Sequence, residues 1–408
     1  MKILFLNKFY YLKGGAERVF FEEQSVLQQK GQKIIPFSRR HPGNLPTQYN
    51  DFFAPQLSLD THPSFKSLKA AFGIIYSFQT KAALRRLISQ ERPDIAHAHN
   101  IYGLLTTSVL DELYSSGIPA VLTLHDFKII CPNYQFLNGT RICQDCKTHH
   151  YYKAILNKCV HGNMFYSSVY ALENYFHYMT RKYEKKVSRY IAVSRFIRNK
   201  FIEYGFPEER ITLIPNFIDA KLYEPAYENQ NYFLYFGRLV PEKGLMTLLR
   251  AFARLKTTQN RLIIAGEGPL RRELEKEIID QNINNVEFTG FLTGDLLADK
   301  IKKCVCTIIP SEIYENCPMS ALESLAYGKP VIGADIGGIP ELITHKVDGL
   351  IFKSGDVEDL SNCLEYMASQ SPLQLREWGT NARMKIERSY NVKQHYEALM
   401  TLYHEVLH

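Results

Sequence analysis

Short apolar runs alternate with segments of helical length along almost the whole chain. Strands are predicted at residues 2–7, 33–37, 95–98, 120–125, 189–193 and 212–214, and again at 232–236, 261–265, 286–288, 305–309, 331–333 and 349–352. Helices are predicted at 16–29, 78–89, 104–115 and 166–186, and from near residues 244, 269, 294, 318 and 357 onward. Such alternation is typical of doubly wound parallel sheets, so the predicted fold class is α/β.

The length of 408 residues suits two domains rather than one. Residues 219–231 (DAKLYEPAYENQN) are polar, contain Pro225 and lack periodicity, which indicates a linker. The predicted domains are residues 1–218 and 219–388. The segment at 391–407 has the pattern of a final helix.

The composition and the N-terminal residues indicate which broad class of protein this is: globular, membrane-spanning or secreted. The apolar fraction of 45% is that of a globular protein, and no apolar run approaches the roughly 20 residues of a membrane-spanning helix. Asn7 and Lys8 interrupt the apolar N-terminus and no cleavage site follows, which indicates a first strand rather than a signal peptide. A cytoplasmic location is therefore expected, where the eight cysteines would be thiols or metal ligands rather than disulfides.

Charge is distributed unevenly along the chain. Residues 1–216 hold 28 Lys+Arg and 16 Asp+Glu, a balance of +12, whereas the remainder has a balance of −5. A basic first half favours an anionic substrate or surface. Nucleic acid is not the expected partner, because no basic repeat, zinc-finger spacing or RNA-binding aromatic signature is present.

Residues 311–341 (SEIYENCPMSALESLAYGKPVIGADIGGIPE) contain two glutamates, Glu315 and Glu323, on either side of Pro318. A strand enters this loop and a helix leaves it, an arrangement that presents N–H groups to an anion. A glycosidase-like carboxylate pair, about 5–9.5 Å apart, is one alternative. One continuous helix would separate the pair by about 12 Å, but Pro318 favours a helix that begins near itself, so the separation stays open. Two solvated helix glutamates are the other alternative.

The block also contains Gly328-Lys329-Pro330 and the pair Gly337-Gly338, where backbone can approach a ligand closely. Together with the two glutamates it resembles the donor-sugar site of retaining glycosyltransferases of family 4, which have a Glu-x7-Glu signature. The resemblance implies that Glu315 lies near the transferred sugar and Glu323 near the ribose hydroxyls. The donor site would also include Asn316, Cys317 and Pro318. Cys317-Pro318 replaces the Gly-Phe often found there, which leaves the donor's identity open.

The same resemblance implies the GT-B architecture, in which two Rossmann-like domains face each other across a cleft. The C-terminal helix, at about residues 389–408, would cross back to the first domain. Retention in this family is ascribed to attack on the face that the leaving group departs from, with the departing phosphate as base. The donor half has no Asp-x-Asp motif, so no catalytic metal and no other cofactor is expected.

The segment at 236–244 (FGRLVPEKG) closes the first strand of the second half. It matches the family motif whose cations hold the diphosphate, which assigns those roles to Arg238 and Lys243. Arg can bind two phosphate oxygens at once, whereas Lys acts as a movable point charge. A solvated Arg and Lys at a turn are the alternative. Gly266, in Gly266-Glu267-Gly268-Pro269, would border the nucleotide base; the missing third glycine argues against a dinucleotide-binding oxidoreductase.

Candidate residues of the first half follow predicted strands. Gly14 and Gly15 resemble the family's glycine pair at the donor phosphate, with Glu17 on the acceptor side, although by itself such a pair is an ordinary turn. His125 ends a strand, where open parallel sheets bind ligands, and the resemblance implies contact with the transferred sugar. Asp126 would orient His125 or touch the acceptor, and Arg195 would meet phosphate or acceptor. For His97 and His99, at the end of the neighbouring strand, a packed or solvated side chain is an equal alternative. Asn216 resembles a family residue with a structural role.

Four cysteines, Cys131, Cys143, Cys146 and Cys159, form C-x11-C-x2-C-x12-C in a loop-rich insertion. Four thiolates can hold a structural zinc ion tetrahedrally. The spacing matches no established zinc module, and four plain reduced cysteines are the alternative. In either case the insertion would have no catalytic role.

The predicted function is retaining transfer from a nucleotide-diphosphate sugar to a saccharide or polyprenyl-diphosphate-saccharide acceptor in bacterial surface polysaccharide synthesis. The alternatives are a nucleotide-sugar epimerase, a sucrose-type synthase or a catalytically silent sugar-binding partner of a synthase complex. Residues 65–86 and 151–200 mix basic and aromatic side chains, which suggests peripheral attachment to the cytoplasmic membrane leaflet. Packing of these aromatics between helices is the alternative.

Overall fold

The computed structural model describes residues 1–56, 73–255 and 260–408. The chain forms two compact units, one of residues 1–214 with 396–408 and the other of residues 215–395. Each unit has a six-stranded sheet in which all pairs are parallel. The predicted α/β class is confirmed.

The first unit has the strand order β2-β1-β3-β4-β7-β8 and a separate antiparallel hairpin, β5-β6. Its strands are β1 (Lys2–Leu6), β2 (Lys33–Phe37), β3 (Ile95–Ala98), β4 (Ala120–Leu124), β5 (Leu137–Asn138), β6 (Arg141–Ile142), β7 (Arg189–Ala192) and β8 (Ile211–Leu213). Its described α-helices are Gly15–Gln29, Phe78–Glu91, Ser108–Ser115, Tyr152–Leu156, Met164–Thr180, Lys182–Lys186 and Arg195–Glu203, with 3-10 turns at Asn50–Phe52, Lys147–His149 and Glu208–Arg210.

The second unit has the order β11-β10-β9-β12-β13-β14. Its strands are β9 (Tyr232–Phe236), β10 (Arg261–Ala265), β11 (Val286–Gly290), β12 (Cys306–Ile309), β13 (Val331–Ala334) and β14 (Gly349–Phe352). Its described α-helices are Leu245–Phe252, Arg271–Asp280, Gly294–Lys303, Met319–Ala326, Ile339–Leu342, Val357–Ala368 and Pro372–Ser389, with 3-10 turns at Ala220–Leu222 and Pro241–Lys243. The last helix, Val392–Leu407, starts in this unit and ends in the first.

Two predicted helices are corrected. The helix expected at 104–115 begins only at Ser108, because Thr106 has a φ of 66° and its N–H bonds back to the carbonyl of Ile101. The helix expected at 166–186 is two helices, because Arg181 has a φ of 48° and interrupts it. No α-helix of the described ranges has the length and apolarity to cross a membrane.

The central strands of both sheets are buried, as their continuous apolar runs predict. In the second unit the core includes Phe233, Leu262, Ile308 and Ile332 from the strands and Trp378 from the helix Pro372–Ser389. The carboxyl ends of parallel strands lie at one edge of each sheet. Most of the candidate residues lie just beyond such ends.

Candidate active site

Lys243 and Glu315 meet in the second unit. Lys243 ends the 3-10 turn Pro241–Lys243 that follows β9, and Glu315 lies in the loop after β12. The Lys243 ammonium forms an ion pair with Glu315 Oε1, and Ser311 Oγ donates to the same oxygen at 3.1 Å. Because β9 and β12 are neighbours in the sheet, two residues 72 positions apart in sequence come into contact.

Glu315 remains ionised although it is largely buried. Burial acts to raise the pKa of this carboxyl, but the Lys243 charge, the hydrogen bonds from Lys243 and Ser311 and the Arg238 charge together outweigh it, so the pKa lies below its ordinary value. A buried carboxylate therefore faces a lysine ammonium, with an arginine near enough to act on it. A phosphate that entered here would compete with Glu315 for Lys243.

Glycines allow the surrounding loops to approach one another. Gly244 has a φ of 68°, and a Cβ there would lie 1.8 Å from the carbonyl oxygen of Pro310. Gly337 has a φ of 62°, and its Cβ would lie 2.3 Å from the carbonyl oxygen of Glu315. The next residue, Gly338, donates its N–H to that same oxygen at 2.6 Å. The pair Gly337-Gly338 thus fixes the backbone that presents Glu315.

Arg238 and Gly266 lie in the loops after β9 and β10. The Arg238 side chain is exposed, and its carbonyl accepts a hydrogen bond of 2.8 Å from the Tyr235 hydroxyl. The two loops touch, because a Cβ at Gly266 would lie 1.8 Å from the carbonyl oxygen of Gly237. The Arg238 guanidinium is therefore accessible on an anchored backbone.

The remaining donor-side candidates surround the start of the helix Met319–Ala326. Pro318 precedes this helix, as predicted, so Glu315 lies in the loop and Glu323 in the helix, where it is half-buried. Asn316 and Cys317 are buried, and the Cys317 carbonyl accepts from Asn216 Nδ2 at 3.0 Å. Burial raises the pKa of the Cys317 thiol to about 12, so it is a neutral packing group.

In the first unit, the glycine pair precedes a helix as expected. Gly14 is extended and Gly15 begins the helix Gly15–Gln29. Glu17 lies in its first turn and is buried, with Asn7 Nδ2 at 3.5 Å from its Oε1. Asn7 follows β1 directly, so the end of this strand and the start of the helix are joined by a side-chain contact.

His125 follows β4 and is the end of a row of buried side chains. Its Nε2 lies 2.8 Å from His99 Nδ1, and His99 Nε2 lies 3.2 Å from Glu23 Oε2. The His125 and His99 rings are therefore joined by one hydrogen bond in which either ring can donate, and the Glu23 carboxylate lies next to His99.

His97 belongs to a second, fully buried network. Its Nδ1 bonds to the Tyr403 hydroxyl and its Nε2 to Thr123 Oγ1, both at 2.7 Å. Glu23, His97 and His99 are the set of three in the described ranges whose ligand atoms lie close enough together for a metal ion. Because both ring nitrogens of His97 already bond to protein hydroxyls, we interpret this set as a hydrogen-bond network. The buried alternative for His97 and His99 is confirmed.

Asp126 is surrounded by groups that the sequence did not single out. Tyr102 donates its hydroxyl to Asp126 Oδ1 at 2.8 Å, and the Lys128 N–H donates at 2.9 Å. Burial raises the pKa of Asp126, with the Lys8 charge opposing, and burial lowers the pKa of Lys8, with the Asp126 and Glu17 charges opposing. Lys8 and Tyr102 follow the ends of β1 and β3, so attention to every strand end would have found them.

Arg195 and the cysteines complete the candidates. Arg195 is exposed and begins the helix Arg195–Glu203, which Ser194 caps by accepting from the Ile197 N–H at 3.2 Å. The four insertion cysteines, Cys131, Cys143, Cys146 and Cys159, line one small cavity.

Two family models match the chain in succession. The model described as Glycosyltransferase Family 4 matches residues 13–222, more than half of the chain. The chain belongs to glycosyltransferase family 4. The model described as Glycosyl transferases group 1 matches residues 220–385 of this glycosyltransferase, which contain Arg238, Lys243 and both glutamates.

Curated relatives of this family 4 glycosyltransferase are distant. It is 26% identical over 296 residues to an uncharacterized glycosyltransferase of Methanocaldococcus jannaschii, covering 72% of this chain and 70% of the relative. It is 28% identical over 214 residues to the amylovoran biosynthesis glycosyltransferase AmsK of Erwinia amylovora, covering 49% of this chain and 52% of AmsK.

Solved structures share the GT-B fold over the full length of the chain. Sucrose-phosphate synthase from Thermosynechococcus elongatus superposes with a TM-score of 0.73 at 17% identity and covers 99% of this chain and 98% of the synthase. Anabaena HepE in complex with UDP superposes with a TM-score of 0.68 at 19% identity and covers 99% of this chain and 100% of HepE. At these identities the likeness shows the fold.

The first prediction concerns pH. Burial, together with the charge of His99, lowers the pKa of His125 to about 3, so this histidine stays neutral at any pH well above 3. We expect the pH profiles of kcat/KM for the wild type and for His125→Gln to have the same shape between pH 5 and 8, with a lower plateau for the variant. A step near pH 6–7 in the wild type that is missing in the variant would contradict a neutral His125.

Proposed function

We propose that this glycosyltransferase transfers a sugar, with retention of anomeric configuration, from a nucleotide-diphosphate sugar to a saccharide or lipid-linked saccharide. The observation that supports it most is the contact of Lys243 with Glu315 beside Arg238, at the carboxyl ends of β9 and β12. Fixed cations at such an edge are what a diphosphate leaving group requires. The UDP and UDP-glucose bound by HepE and the polysaccharide role in AmsK's name support the same class of donor and pathway.

The chemistry assigned to each side chain combines its environment in the structure with the roles that the resemblance to family 4 implies. Arg238 and Lys243 stabilise the negative charge that develops on the diphosphate as the bond from the anomeric carbon to the phosphate oxygen breaks. The acceptor hydroxyl oxygen forms the new bond on the same face, and its proton passes to the departing phosphate. Glu315 holds Lys243 in place and lies near the sugar, and Glu323 binds the ribose hydroxyls.

Two other functions of the same fold remain distinguishable by their products. An epimerase would change the nucleotide sugar without transferring it. A silent partner would bind the donor without releasing nucleoside diphosphate. Silence is disfavoured because Arg238, Lys243, Glu315 and Glu323 are all present and Lys243 contacts Glu315.

A thermal-shift screen tests the donor class. The full chain is heated with UDP, GDP or ADP, and a nucleotide that binds only the native state at 100 times its Kd stabilises it by about 2.7 kcal/mol. We expect one of the three bases to raise the Tm by several degrees and the other two to raise it less. No shift with any of them at millimolar concentration would refute the proposed donor site.

The second prediction concerns metal dependence. Because protein cations compensate the diphosphate, we expect a brief EDTA treatment to leave the rate of transfer within about twofold of the untreated rate. The measurement is the rate of nucleoside diphosphate release, with and without EDTA and then with added Mg²⁺ or Mn²⁺. Loss of activity that only a divalent ion restores would show a catalytic metal.

Attachment to the cytoplasmic membrane leaflet forms part of the proposal. The helix Met164–Thr180 exposes Met164, Phe165, Leu172 and Met179. Apolar side chains of this kind can enter a membrane interface. The basic contribution is smaller than predicted, because several of the bases already form ion pairs: Lys81 and Arg85 with Glu112, and Lys182 and Lys186 with Asp111. Of the segment at 65–86, residues 65–72 lie outside the described residues.

The third prediction tests this attachment by liposome flotation. Wild-type protein should float with vesicles that contain anionic lipid, and Leu172→Ser with Met179→Ser should reduce the floated fraction several-fold. Leu373→Ser is the matched control, because Leu373 is 78% exposed and lies on a helix of the other unit. Wild-type protein that never floats at low salt would refute the membrane proposal and leave the transferase proposal intact.

A further inference from the structure

We propose that Cys131, Cys143, Cys146 and Cys159 hold one zinc ion, which fixes the insertion between β4 and the helix Met164–Thr180. The ion would be structural. This inference is independent of the proposed donor and acceptor, since the four cysteines make no part of the charged site.

The first observation is that the four cysteines come from different parts of the insertion and line the same cavity. Cys131 follows β4 by seven residues, Cys143 and Cys146 follow the hairpin β5-β6, and Cys159 follows the helix Tyr152–Leu156. All four line a single cavity of about 10 Å³. A cavity of this size has room for about one water-sized sphere, so an ion fits and an organic ligand does not.

The second observation is that the insertion has little regular structure of its own. Around the cysteines, Cys146, Tyr151 and Ala154 form a small buried cluster with Ala171 of the following helix, whereas Phe127, Ile130 and Phe136 are buried in the first part of the insertion. Its regular structure is limited to a hairpin with two residues per strand, one 3-10 turn and a five-residue α-helix. In free-standing small domains with little regular structure, a metal ion or disulfides commonly supply the missing constraint.

The third observation is backbone strain within the same segment. Six non-glycine residues have φ between 47° and 66°: Tyr134, Phe136, Thr148, His149, Lys158 and His161. Such conformations persist only where the surroundings enforce them. Four metal–sulfur bonds from three loops would help to enforce these conformations, in addition to the buried side chains of the segment.

Four cysteine side chains around one cavity form a donor set that suits Zn²⁺. Zn²⁺ would displace the four thiol protons and bind the thiolates. Arg141 lies near Cys143, whereas Lys128 is already paired with Glu173 at 2.9 Å and the Asp145 carboxylate lines the same cavity, so the ion itself would offset most of the thiolate charge.

Binding requires a local contraction. Tetrahedral Zn–S bonds of about 2.3 Å place the sulfurs about 3.8 Å apart, and no three of these sulfurs in the described structure lie within 4.8 Å of one another. The side chains would have to rotate toward the cavity for the sulfurs to reach that spacing. Cys131 would give up the hydrogen bond from its Sγ to Asn133 Oδ1 when it loses its proton.

Elemental analysis of the full chain, purified under reducing conditions, tests the site. We expect one zinc per chain in the wild type and less than about a tenth of that in Cys143→Ser with Cys146→Ser. Cys363→Ser is the matched control, because Cys363 is also buried and lies in the other unit; it should retain one zinc. Glu23→Gln with His99→Gln should retain it as well. If the Glu23→Gln, His99→Gln variant lost its zinc and the Cys143→Ser, Cys146→Ser variant kept it, the ion would be bound by the glutamate–histidine set. That result would overturn the proposal.

Cobalt substitution tests the site in the wild-type protein, so its result does not depend on whether the cysteine variants fold. Wild-type protein grown with Co²⁺ should show the thiolate charge-transfer and tetrahedral ligand-field absorption of a cobalt tetrathiolate. Metal-free wild-type protein that is folded and active, with these four cysteines titrating as thiols or joined in disulfides, would overturn the proposal.

Discussion

Lys243→Ala is expected to lower kcat/KM for the nucleotide sugar by roughly 10²-fold or more. The substitution removes a charge from the developing diphosphate. It also leaves the Glu315 carboxylate, whose ionisation depends on Lys243, without its partner beside the entering phosphates. Arg238→Ala should have an effect of similar size. Lys276→Ala is the matched control, since Lys276 is 77% exposed in the same unit and should leave the rate unchanged.

The energetic coupling between Lys243 and Glu315 can be measured with a double-mutant cycle. Glu315→Ala should lower mainly kcat, and Glu323→Ala should weaken mainly nucleotide binding. Because Lys243 and Glu315 are in contact, the double variant Lys243→Ala with Glu315→Ala should lose less than the sum of the single losses. The measurement is steady-state kinetics with the donor identified by the thermal-shift screen. Near-wild-type rates for both cation variants would show that the diphosphate binds elsewhere.

Gly337→Ala is expected to damage the site without touching any charge. The added Cβ would lie 2.3 Å from the Glu315 carbonyl oxygen, and the φ of 62° is itself unfavourable for alanine. The loop must shift, and a displacement of about 1 Å at a reacting centre can cost about 10²-fold in rate. We also expect a loss of about 1–3 kcal/mol in the free energy of unfolding.

A substitution at a second glycine separates the effect of the Cβ collision from the effect of the unfavourable φ. Gly294 has a φ of 56°, but a Cβ there would meet no atom within 4 Å. Gly294→Ala should therefore show the backbone cost in stability, measured by denaturant unfolding, and leave kcat/KM unchanged. If Gly337→Ala kept wild-type kcat/KM, the position of the Glu315 loop would not matter for transfer.

Much of the fold was predictable because most strands of both sheets are short, mainly apolar and buried runs between polar segments. The inner strands β3, β9 and β10 and the edge strands β2 and β14 have the predicted bounds. The hairpin β5-β6 was missed because two residues per strand give no periodicity. The helix Pro372–Ser389 was missed although Ser371 and Pro372 form a helix-start signal; its apolar positions, such as Leu375 and Trp378, are sparse.

The site was predictable residue by residue but not in its pairings. The resemblance pointed to Lys243 and Glu315 separately, whereas their ion pair depends on the adjacency of β9 and β12, which the local sequence does not determine. The contacts of His99 with Glu23 and with His125 could not be predicted from the local sequence either. A glutamate in a helix of mixed polarity is expected to be exposed to solvent. Long-range contacts of this kind are set by strand order.

The most direct test of the central claim is calorimetric titration of the full chain with a nucleoside diphosphate in the presence of EDTA. We expect saturable binding of the nucleotide chosen by the thermal-shift screen, weakened at least tenfold by Lys243→Ala and unchanged by Lys276→Ala. Binding that is absent without a divalent ion, or that Lys243→Ala and Arg238→Ala leave unaltered, would contradict a donor site built on these two cations.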